Sequence, residues 1–440
     1  MTKISEKTMD FNNKVKTNFD GGDLTSDSGM LLYKELDKKM GFSQTIKDCL
    51  DFDDDVNHRK HENADVVVQR ILQNAAGYHA DSAANDLRED TLFKTILEKE
   101  QLASQPTLSR LNEISSEKTM KQLQDANNKL LKNIYKNEPP EEIIFDLDST
   151  ISKTYGNQYG SAYNEHYSHE GYHPLMLFDG NTGDALKGEL RAGNVYTSRQ
   201  VVRFIGPVLK NYGKAFQEIL FYLRADSGFA KPGLYRMCEE HNTSYAIRLK
   251  ANAKLYELAE PFEEKLYEKD SIQLEDSGVI YGEFSYQAKS WEHSRRVVVK
   301  IEKPKCEFAL RYTFIVTNIQ DKEPEDLIDF YFGRSTMENF IKEAKNGFAV
   351  DRMSSTDFWS NASKLQQMLL AYNLNNWLRR LAFPESYKSD RIFTIRMRLI
   401  KIAARVVKTG RYLYFKLASS CPYKKFFFSV LENIQKLEFA

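Results

Sequence analysis

The sequence has few cysteines and no cysteine motif. Its 440 residues include only Cys49, Cys238, Cys306 and Cys421, and no two of them form a CxxC pair. Structural zinc sites need such pairs, and disulfide frameworks are typical of small, cysteine-rich secreted domains. We therefore expect free thiols and neither kind of site.

Long apolar runs and nucleotide-binding loops are also missing. No stretch reaches the roughly 18 consecutive apolar residues of a transmembrane helix, and residues 1–16 lack the apolar core of a signal peptide. Gly21, Gly22 and Gly29 are interpreted as turn residues, because no Gly-Lys-Ser or Gly-Lys-Thr follows them. We expect a cytoplasmic protein that neither spans a membrane nor uses a nucleotide cofactor.

The chain as a whole carries no excess of either charge, but one segment does. There are 62 Lys and Arg residues against 62 Asp and Glu residues. From Arg391 to Val430 no residue is acidic, whereas the basic residues are Arg391, Arg396, Arg398, Lys401, Arg405, Lys408, Arg411, Lys416, Lys424 and Lys425. Such segregation indicates either a basic surface that binds DNA, with Arg396, Arg398 and Arg405 as contacts, or an ordinary solvated face.

Residues 1–140 are expected to be mostly helical with loops, and the Pro139-Pro140 pair, which ends any helix before it, predicts a domain boundary there. Within this region a helix is predicted at Ser104–Ile114, with a proline in its first turn and two leucines on one face. Thr107, Ser109 and Arg110 would project outward, as in a DNA-recognition helix. An ordinary amphipathic helix explains the same pattern, so both interpretations stay open.

After residue 140 the pattern becomes that of an α/β protein. Strands are predicted at 143–148, 173–178, 185–191, 218–223 and 245–249, with helices at 198–212 and 232–241. This order predicts a mixed sheet flanked by helices, and it matches the RNase H-like fold. Three alternating or β-branched runs predict a mainly β insertion that interrupts this core.

The length is sufficient for about three domains, and we predict one core in two parts with three additions. The predicted division is a helical N-terminal DNA-binding region (1–140), the first part of the core (141–251), the inserted β subdomain (252–325), the second part of the core (326–382) and a basic C-terminal region (383–440).

The strongest local signal is the pattern Tyr331-x2-Arg334-x3-Glu338-x6-Lys345. On one continuous helix, at about 100° per residue, all four side chains fall within roughly 60° of one another. A carboxylate beside two cations suits a site where the carboxylate holds a metal and the cations hold phosphate oxygens. An exposed helix face with ion pairs is the alternative.

Two aspartates end predicted strands. Asp148 ends the sequence IIFDLD and Asp226 ends FYLRAD. Carboxylates at strand ends can converge above a sheet, and two Mg²⁺ ions about 4 Å apart need several such oxygen ligands. Any one strand-end aspartate is more often a cap or turn residue, so the prediction depends on Asp148, Asp226 and Glu338 together.

With these motifs in place, the chain resembles the cut-and-paste insertion-sequence transposases of bacteria, in the DDE branch with the Tyr-Arg-Glu-Lys signature. All four signature residues match at the family's spacing, and the resemblance covers nearly the whole chain. The matching stretches are Asp148-Ser149-Thr150 (a D-x-T element), Leu223–Phe229, Tyr155–Gly160, Gly171–Asp184, Leu190–Asn194 and Ser104–Asn112.

The resemblance implies the chemistry and the partners. Asp148, Asp226 and Glu338 would hold two Mg²⁺ ions, for which Mn²⁺ can substitute. Cleavage at the terminal inverted repeats would release a 3′-OH, often through a hairpin intermediate, and this 3′-OH would be joined to target DNA. Double-stranded DNA, self-association in a synaptic complex and a place on the bacterial nucleoid are implied as well. A nuclease of the same fold that only hydrolyses, and a catalytically idle DNA-binding derivative, are the alternatives.

The resemblance also bears on three ambiguous features. It selects Asp148 over Asp146, which points to the same side of its strand, and leaves Asp146 as a supporting residue. It implies that Trp291, the tryptophan of the insertion, stacks on a DNA base, although a role in the core of the subdomain explains it too. The motif His166-x2-His169-x3-His173 could bind zinc, but contacts to DNA or loop packing are favoured because no fourth ligand is near.

Overall fold

The structure is a computed structural model that describes residues 6–54, 56, 58–270 and 276–439. The chain divides into two compact units. Unit 1 comprises Met1–Ala126, Gly347–Ala349 and Leu370–Ala440, so the N-terminal and C-terminal regions fall in the same unit. Unit 2 comprises Asn127–Asn346 and Val350–Leu369 and contains the candidate site.

The helices and strands alternate through much of the chain. The helices are α1 (Met30–Met40), α2 (Phe42–Cys49), α3 (Asn63–Ala76), α4 (Ala83–Asp86), α5 (Thr91–Ile96), α6 (Gln105–Glu113), α7 (Glu117–Asn137), α8 (Val201–Ala215), α9 (Pro232–Glu240), α10 (Ala253–Asp270), α11 (Pro324–Phe332), α12 (Ser335–Phe348), α13 (Phe358–Ala382), α14 (Ile392–Ile395) and α15 (Lys424–Lys436). The strands are β1 (Lys7–Met9), β2 (Asn12–Thr17), β3 (Leu24–Thr25), β4 (Glu142–Ser149), β5 (Ser152–Lys153), β6 (Ala162–Asn164), β7 (His169–Tyr172), β8 (Leu175–Asp179), β9 (Ala185–Glu189), β10 (Leu220–Ala225), β11 (Thr243–Leu249), β12 (Gly278–Tyr286), β13 (Arg295–Lys303), β14 (Arg311–Thr317), β15 (Ala404–Lys408) and β16 (Leu413–Leu417).

Unit 2 is built on an eight-stranded mixed sheet in the order β12-β13-β14-β11-β10-β4-β8-β9. Strands β4, β8 and β9 are antiparallel neighbours, while β10 and β11 run parallel to β4. Helix α8 connects β9 to β10, and α9 connects β10 to β11. The predicted strands and helices of residues 141–251 are present in the predicted order. Three short strands that were not predicted, β5, β6 and β7, lie between β4 and β8 and form a sheet of their own.

The central strands are apolar on both faces because helices cover the sheet. Ile143, Ile144 and Phe145 of β4 are all buried, and so is every residue of β8. Continuous apolar runs of this kind are typical of strands that are buried on both faces. The rigid platform they form fixes the positions of any side chains at the strand ends.

Residues 252–325 differ from the expected β subdomain in two ways. Their strands β12, β13 and β14 extend the central sheet, with β14 antiparallel to β11, and do not form a sheet of their own. They also follow an 18-residue helix, α10, which the sequence analysis missed. Gly282 of β12 permits the contact between them, since a Cβ at that position would lie 2.3 Å from the Phe262 ring of α10.

The helix expected to run past Lys345 without interruption is divided. Helix α11 ends at Phe332, Gly333 and Arg334 form a turn, and α12 begins at Ser335. The signature residues are therefore distributed over two helices and the turn between them. The direction of each side chain has to be taken from its contacts and not from a single helical wheel.

Unit 1 packs its helices around α3, in which all residues from Val66 to Ala76 are buried. Helix α3 ends at Gly77, whose φ of +100° is a left-handed conformation that favours glycine. The Arg396 side chain closes this end, donating from Nε to the carbonyl of Ala75 at 3.1 Å and from Nη2 to that of Asn74 at 3.0 Å. Its guanidinium also lies over the Phe348 ring.

The buried position of Arg396 gives this residue a structural role, while its predicted contact with DNA stays a prediction. The side chain is only 7% exposed, and its donors serve the carboxyl end of α3. Those carbonyls carry partial negative charge, which the Arg396 cation compensates. The helix end thus provides the counter-charge that a DNA phosphate was predicted to provide. The local sequence gave no sign of this partner because it lies more than 300 residues away.

A three-stranded sheet, in the order β16-β15-β3, presents the basic C-terminal residues of unit 1. Arg405 of β15 pairs in register with Lys416 of β16, so both side chains lie on one face. Lys408 and Arg411 flank the turn that joins the two strands. All four cations are exposed, and we name them the hairpin cations.

No helix in the described part of the chain combines the length and apolarity needed to cross a bilayer.

Replacing Arg396 by Met should lower the free energy of unfolding by about 2–4 kcal/mol, because two carbonyls at the end of α3 lose charged donors. Urea unfolding followed by circular dichroism measures this change. Arg405→Met is the matched control and should cost less than about 0.5 kcal/mol, since Arg405 is exposed. Equal stabilities of the two variants would show that Arg396 does not support α3.

Candidate active site

Asp148 and Asp226 are brought together by the pairing of β4 with β10. These strands are parallel, and Leu147 of β4 is in register with Ala225 of β10. Asp148 and Asp226 each lie one residue further along, so they are neighbours at the same edge of the sheet. Strand pairing alone, independent of any loop, therefore places two carboxylates side by side.

Glu338 approaches the same edge from the first turn of α12. Its side chain is exposed and lies 3.8 Å from the Lys342 ammonium, one helical turn away. Both Asp226 and Glu338 are close enough to Asp148 to raise its pKa electrostatically. The three carboxylates singled out in the sequence therefore share one electrostatic neighbourhood.

Both oxygens of Asp148 have protein partners. Oδ2 accepts an ion-pair contact from Arg334 Nη2 at 2.8 Å, and Oδ1 accepts the Ser149 backbone N–H at 2.8 Å. Arg334 reaches this position because it lies in the turn between α11 and α12. Its predicted role as a phosphate ligand thus meets a competing partner, the carboxylate of Asp148.

Burial dominates the ionisation of Asp148. It raises the pKa of this carboxyl to about 6, against the opposing effect of Arg334. The negative charges of Asp226 and Glu338 add to the increase. A second positive charge at this edge would favour the ionised form of Asp148.

Asp226 also shapes the chain that follows it. Its Oδ1 accepts the Gly228 backbone N–H at 2.9 Å and caps the short 3-10 helix Ser227–Phe229. The turn role considered in the sequence is therefore present. This hydrogen bond uses Oδ1 of Asp226 and is compatible with a second role for Oδ2.

Asp146 lies beneath Asp148 in a buried ion pair. Arg224 Nε and Nη2 donate to Asp146 Oδ1 and Oδ2, both at 2.7 Å, and Arg224 Nη1 donates to the Phe330 carbonyl at 2.8 Å. The planar guanidinium fork fits both carboxylate oxygens at once. Asp146 is 0% exposed, which leaves it a supporting position, as the sequence analysis inferred.

The carboxylates do not form a closed metal site in this conformation. Over residues 6–54, 56, 58–270 and 276–439, no three His, Cys, Asp or Glu side chains are grouped closely enough to hold a metal ion. His166, His169 and His173 fall under the same finding. His173 is 3% exposed, with Nδ1 at 2.8 Å from the Val195 carbonyl, so loop packing accounts for it.

Tyr331 and Lys345, the other signature residues, have protein partners as well. Tyr331 is 5% exposed and packs among Ala246, Ile315 and Leu327, so it has a core role, and its predicted contact with DNA stays a prediction. The Lys345 ammonium donates to the Ile151 carbonyl at 2.8 Å, just beyond the D-x-T element. Lys345 therefore ties α12 to the chain that follows Asp148.

Trp291, for which base stacking or a core role was predicted, is 7% exposed. Its indole makes edge contacts with Tyr235 and Tyr286, both with ring centroids 5.3 Å apart, and lies under the Arg295 guanidinium. The core alternative weighed in the sequence explains this packing. Stacking of a DNA base on this ring stays a prediction.

The predicted DNA-recognition helix forms as α6, with its two leucines buried. Arg110 is exposed, whereas Thr107 and Ser109 are half-buried. Thr107 and Arg110 line a cleft of about 520 Å³ that also contains Arg59, Lys60 and Arg88. The acidic Asp54, which is paired with Arg59, and Glu113 line it too, so its cations outnumber its carboxylates. This basic cleft is compatible with a DNA contact by Thr107 and Arg110, and Ser109 does not line it.

Arg398 is engaged within unit 1, and its predicted contact with DNA stays a prediction. Its Nη1 lies 2.9 Å from Asp390 Oδ2, and its guanidinium lies over the Tyr423 ring. Asp390 precedes the acid-free segment by one residue, and Lys401 in that segment pairs with the distant Asp27. Of the three predicted arginine contacts, Arg405 is the exposed one.

Tyr167 is a residue near the site that the sequence analysis did not single out. Its hydroxyl donates to the Ser149 carbonyl at 3.2 Å, and burial raises its pKa to about 12, with Asp148 and Asp226 contributing. Arg224 was missed too, although its position two residues before Asp226 places both on the same side of β10. That alternation was the available signal.

Comparison with known proteins shows that the family model described as Transposase DDE domain group 1 matches residues 7–439. The fold was also compared with solved structures. The piggyBac transposase, in a cryo-EM synaptic complex with hairpin DNA, is 12% identical, with a TM-score of 0.40 over 80% of this chain and 74% of that one. The Mos1 transposase, in a paired-end complex with left transposon end, is 13% identical, with a TM-score of 0.16 over 51% and 76%. No curated protein matches.

Replacing Asp146 by Ala should destabilise unit 2 by about 3–5 kcal/mol, because the buried Arg224 loses its carboxylate partner. Urea unfolding monitored by tryptophan fluorescence gives the measurement. Glu142→Ala, on the same strand but only half-buried, is the control and should be much milder. An unfolding midpoint for Asp146→Ala equal to that of the control would contradict the supporting role of the pair.

Proposed function

The chain belongs to the family Transposase DDE domain group 1, and we propose that Asp148, Asp226 and Glu338 are its catalytic, metal-binding carboxylates. The observation that carries this proposal is the register of β4 and β10, which makes Asp148 and Asp226 neighbours at one sheet edge. Glu338 joins them from α12 and contributes to the pKa of Asp148. A transposase family and a convergent carboxylate edge support the same reaction class.

The donor set fits a hard divalent cation. Carboxylate oxygens are the ligands that Mg²⁺ prefers, and Mn²⁺ accepts the same ligands. The high pKa of Asp148 indicates that this edge needs more positive charge than Arg334 supplies. Asp148, Asp226 and Glu338 would hold two Mg²⁺ ions, which when bound would activate water and stabilise the charge that develops on phosphate.

The chain's own residues would position the DNA. Arg334 offers a planar fork to phosphate oxygens once its hold on Asp148 is relaxed, and it approaches from the turn after Gly333. Lys345 fixes α12 against residue 151, so Glu338 faces the sheet edge. Tyr331 anchors α11 in the core beside these groups. Positioning of this kind accounts for much of the catalysis of phosphoryl transfer.

In the proposed reaction, water attacks the phosphodiester at each transposon end and releases a 3′-OH. That 3′-OH then attacks a target phosphodiester, and one such bond forms as another breaks. No nucleotide cofactor is needed, because each transesterification exchanges bonds of similar energy. A hairpin on the transposon end, formed when the 3′-OH attacks the opposite strand, is the proposed intermediate. A second water then hydrolyses the hairpin phosphodiester and regenerates the 3′-OH before that group attacks target DNA.

The finer classification belongs to the same proposal. We assign an RNase H-like core, supported by three antiparallel strands (β4, β8, β9) followed by two strands parallel to the first. We assign the Tyr-Arg-Glu-Lys branch of bacterial insertion-sequence enzymes, supported by the match at Tyr331, Arg334, Glu338 and Lys345. Terminal inverted repeats, target DNA and a second copy in a synaptic complex on the nucleoid are the proposed partners.

The proposed DNA-binding surface of unit 1 is the set of hairpin cations, together with Thr107 and Arg110 in the basic cleft. Lys and Arg contacts to phosphate supply affinity without sequence preference. An enzyme that only hydrolyses remains a distinct alternative, and joining of the released 3′-OH to target DNA distinguishes the two. DNA binding alone would not require neighbouring carboxylates at a sheet edge.

Replacing Asp148, Asp226 or Glu338 by Ala should abolish cleavage of transposon-end DNA and leave binding within about threefold, because affinity depends on cations. Cleavage and gel-shift assays on the inverted repeats that flank the gene measure both properties. Asp329→Ala, an exposed carboxylate on α11, is the control and should cleave normally. Normal cleavage by Asp226→Ala, or milder loss in Asp148→Ala than in folded Asp146→Ala, would refute the assignment.

Metal affinity should fall as the pH drops through about 6. The raised pKa of Asp148 means that a proton competes with the metal below that value, by about tenfold in affinity for each further pH unit. Electron paramagnetic resonance of Mn²⁺ titrated into the protein between pH 5 and pH 8 provides the measurement. Asp148→Asn should bind weakly with little pH dependence in this range. A pH-independent affinity in the native protein would contradict the role of Asp148.

Replacing Arg405 and Lys416 by Gln should weaken binding to every DNA sequence. The slope of log affinity against log salt should fall by about 1.8 if each contacts one phosphate. Fluorescence anisotropy with duplexes of unrelated sequence measures affinity and slope. Arg398→Gln is the control and should change neither, because Arg398 is paired with Asp390. An unchanged slope in the double variant would make the hairpin a solvated face.

A further inference from the structure

The loop between β9 and α8 exposes the side chain of Tyr196 to solvent, while hydrogen bonds fix the backbone on either side of it. The Tyr196 ring is 63% exposed. The carbonyl before it, of Val195, lies 2.8 Å from His173 Nδ1, and the carbonyl after it, of Thr197, accepts Arg191 Nη1 at 3.0 Å. The backbone is therefore fixed on both sides of a ring that packs against little.

Arg191 is the buried support of this loop. It is 4% exposed, and it also donates to the carbonyls of His173 at 3.0 Å and Arg199 at 3.2 Å. Burial lowers its pKa to about 10, which still leaves the guanidinium charged at neutral pH. Burial of a cation has a desolvation penalty, which the carbonyl partners of Arg191 partly compensate. These contacts order the loop, so the fold specifies the position of Tyr196.

The loop lies against the turn that Asp226 caps. A Cβ at Gly228 would be 3.1 Å from Thr197 Cγ2 and 3.1 Å from Asp226 Oδ1, so the residue after Tyr196 and the catalytic carboxylate flank the same glycine. The exposed Lys231 ammonium lies 5.7 Å from the centre of the Tyr196 ring. An aromatic ring and a cation thus stand together beside Asp226.

We propose that Tyr196 and Lys231 bind one nucleotide next to the phosphodiester that is cut, an inference that rests on the proposed function. The base stacks on the Tyr196 ring, and Lys231 contacts the adjoining phosphate. Stacking on an aromatic ring is tolerant of sequence because every base has a π face.

The test uses a 30-base-pair duplex that ends in one unpaired 2-aminopurine nucleotide, without added metal so that no bond is cut. The native protein should quench the 2-aminopurine fluorescence, because the base stacks on Tyr196. Tyr196→Phe should retain the quenching and Tyr196→Ala should lose it at saturating protein. Lys231→Gln should weaken the binding of this duplex about threefold to tenfold.

The control is Tyr267→Ala, an exposed tyrosine on α10, which packs on β12 at the opposite edge of the sheet from β9. Full quenching by Tyr196→Ala, or equal loss in Tyr267→Ala, would overturn the inference. Cleavage of end DNA by the native protein is measured in parallel. If the native protein cleaves normally but the quenching does not depend on Tyr196, only the proposed nucleotide contact is refuted. If the native protein does not cleave end DNA, the proposed function is refuted.

Discussion

The buried pair of Asp146 and Arg224 is the interaction on which the site depends. It joins β4 to β10, and through the Phe330 carbonyl it joins both to the end of α11. The same contacts fix the spacing of Asp148 and Asp226, which lie two residues beyond the paired side chains on the same side of each strand. A buried ion pair adds little net stability compared with apolar packing, but removal of either partner leaves an uncompensated buried charge.

Two glycines show how closely this arrangement is packed. A Cβ at Gly180 would lie 2.5 Å from Arg224 Nη2, and one at Gly333 would lie 2.5 Å from Arg224 Nη1. Neither glycine has a left-handed φ, so the constraint is space and not backbone conformation. Gly333 begins the turn between α11 and α12, which places Arg334 on Asp148. Gly333 thus both leaves space for the buried Arg224 and begins the turn that carries Arg334 to Asp148.

The sequence predicted the features that depend on local pattern. The order of strands and helices from β4 to β11 and the strand-end positions of Asp148 and Asp226 follow from apolar runs and turns. Pairings between distant segments could not be predicted, because no local signal marks them: Arg396 closes α3, and Trp291 is enclosed by Tyr235 and Tyr286. Helix α10 was missed because Pro261 interrupts its apolar spacing. The division of α11 from α12 was missed because the angles between the signature residues were calculated for one continuous helix.

Charge balance explains why the candidate site has its present form. Asp148 is paired with Arg334, Glu338 lies 3.8 Å from the exposed Lys342 ammonium, and burial of Asp148 opposes its ionisation. Arg334 lies against Asp148 because that contact partly compensates a carboxylate that the sheet edge has removed from water. A divalent cation would compensate the same charge better, and Arg334 would then be released within reach of a phosphate. The ion pair is thus compatible with the proposed phosphate role of Arg334, because a bound metal ion would replace the arginine as the counter-charge of Asp148.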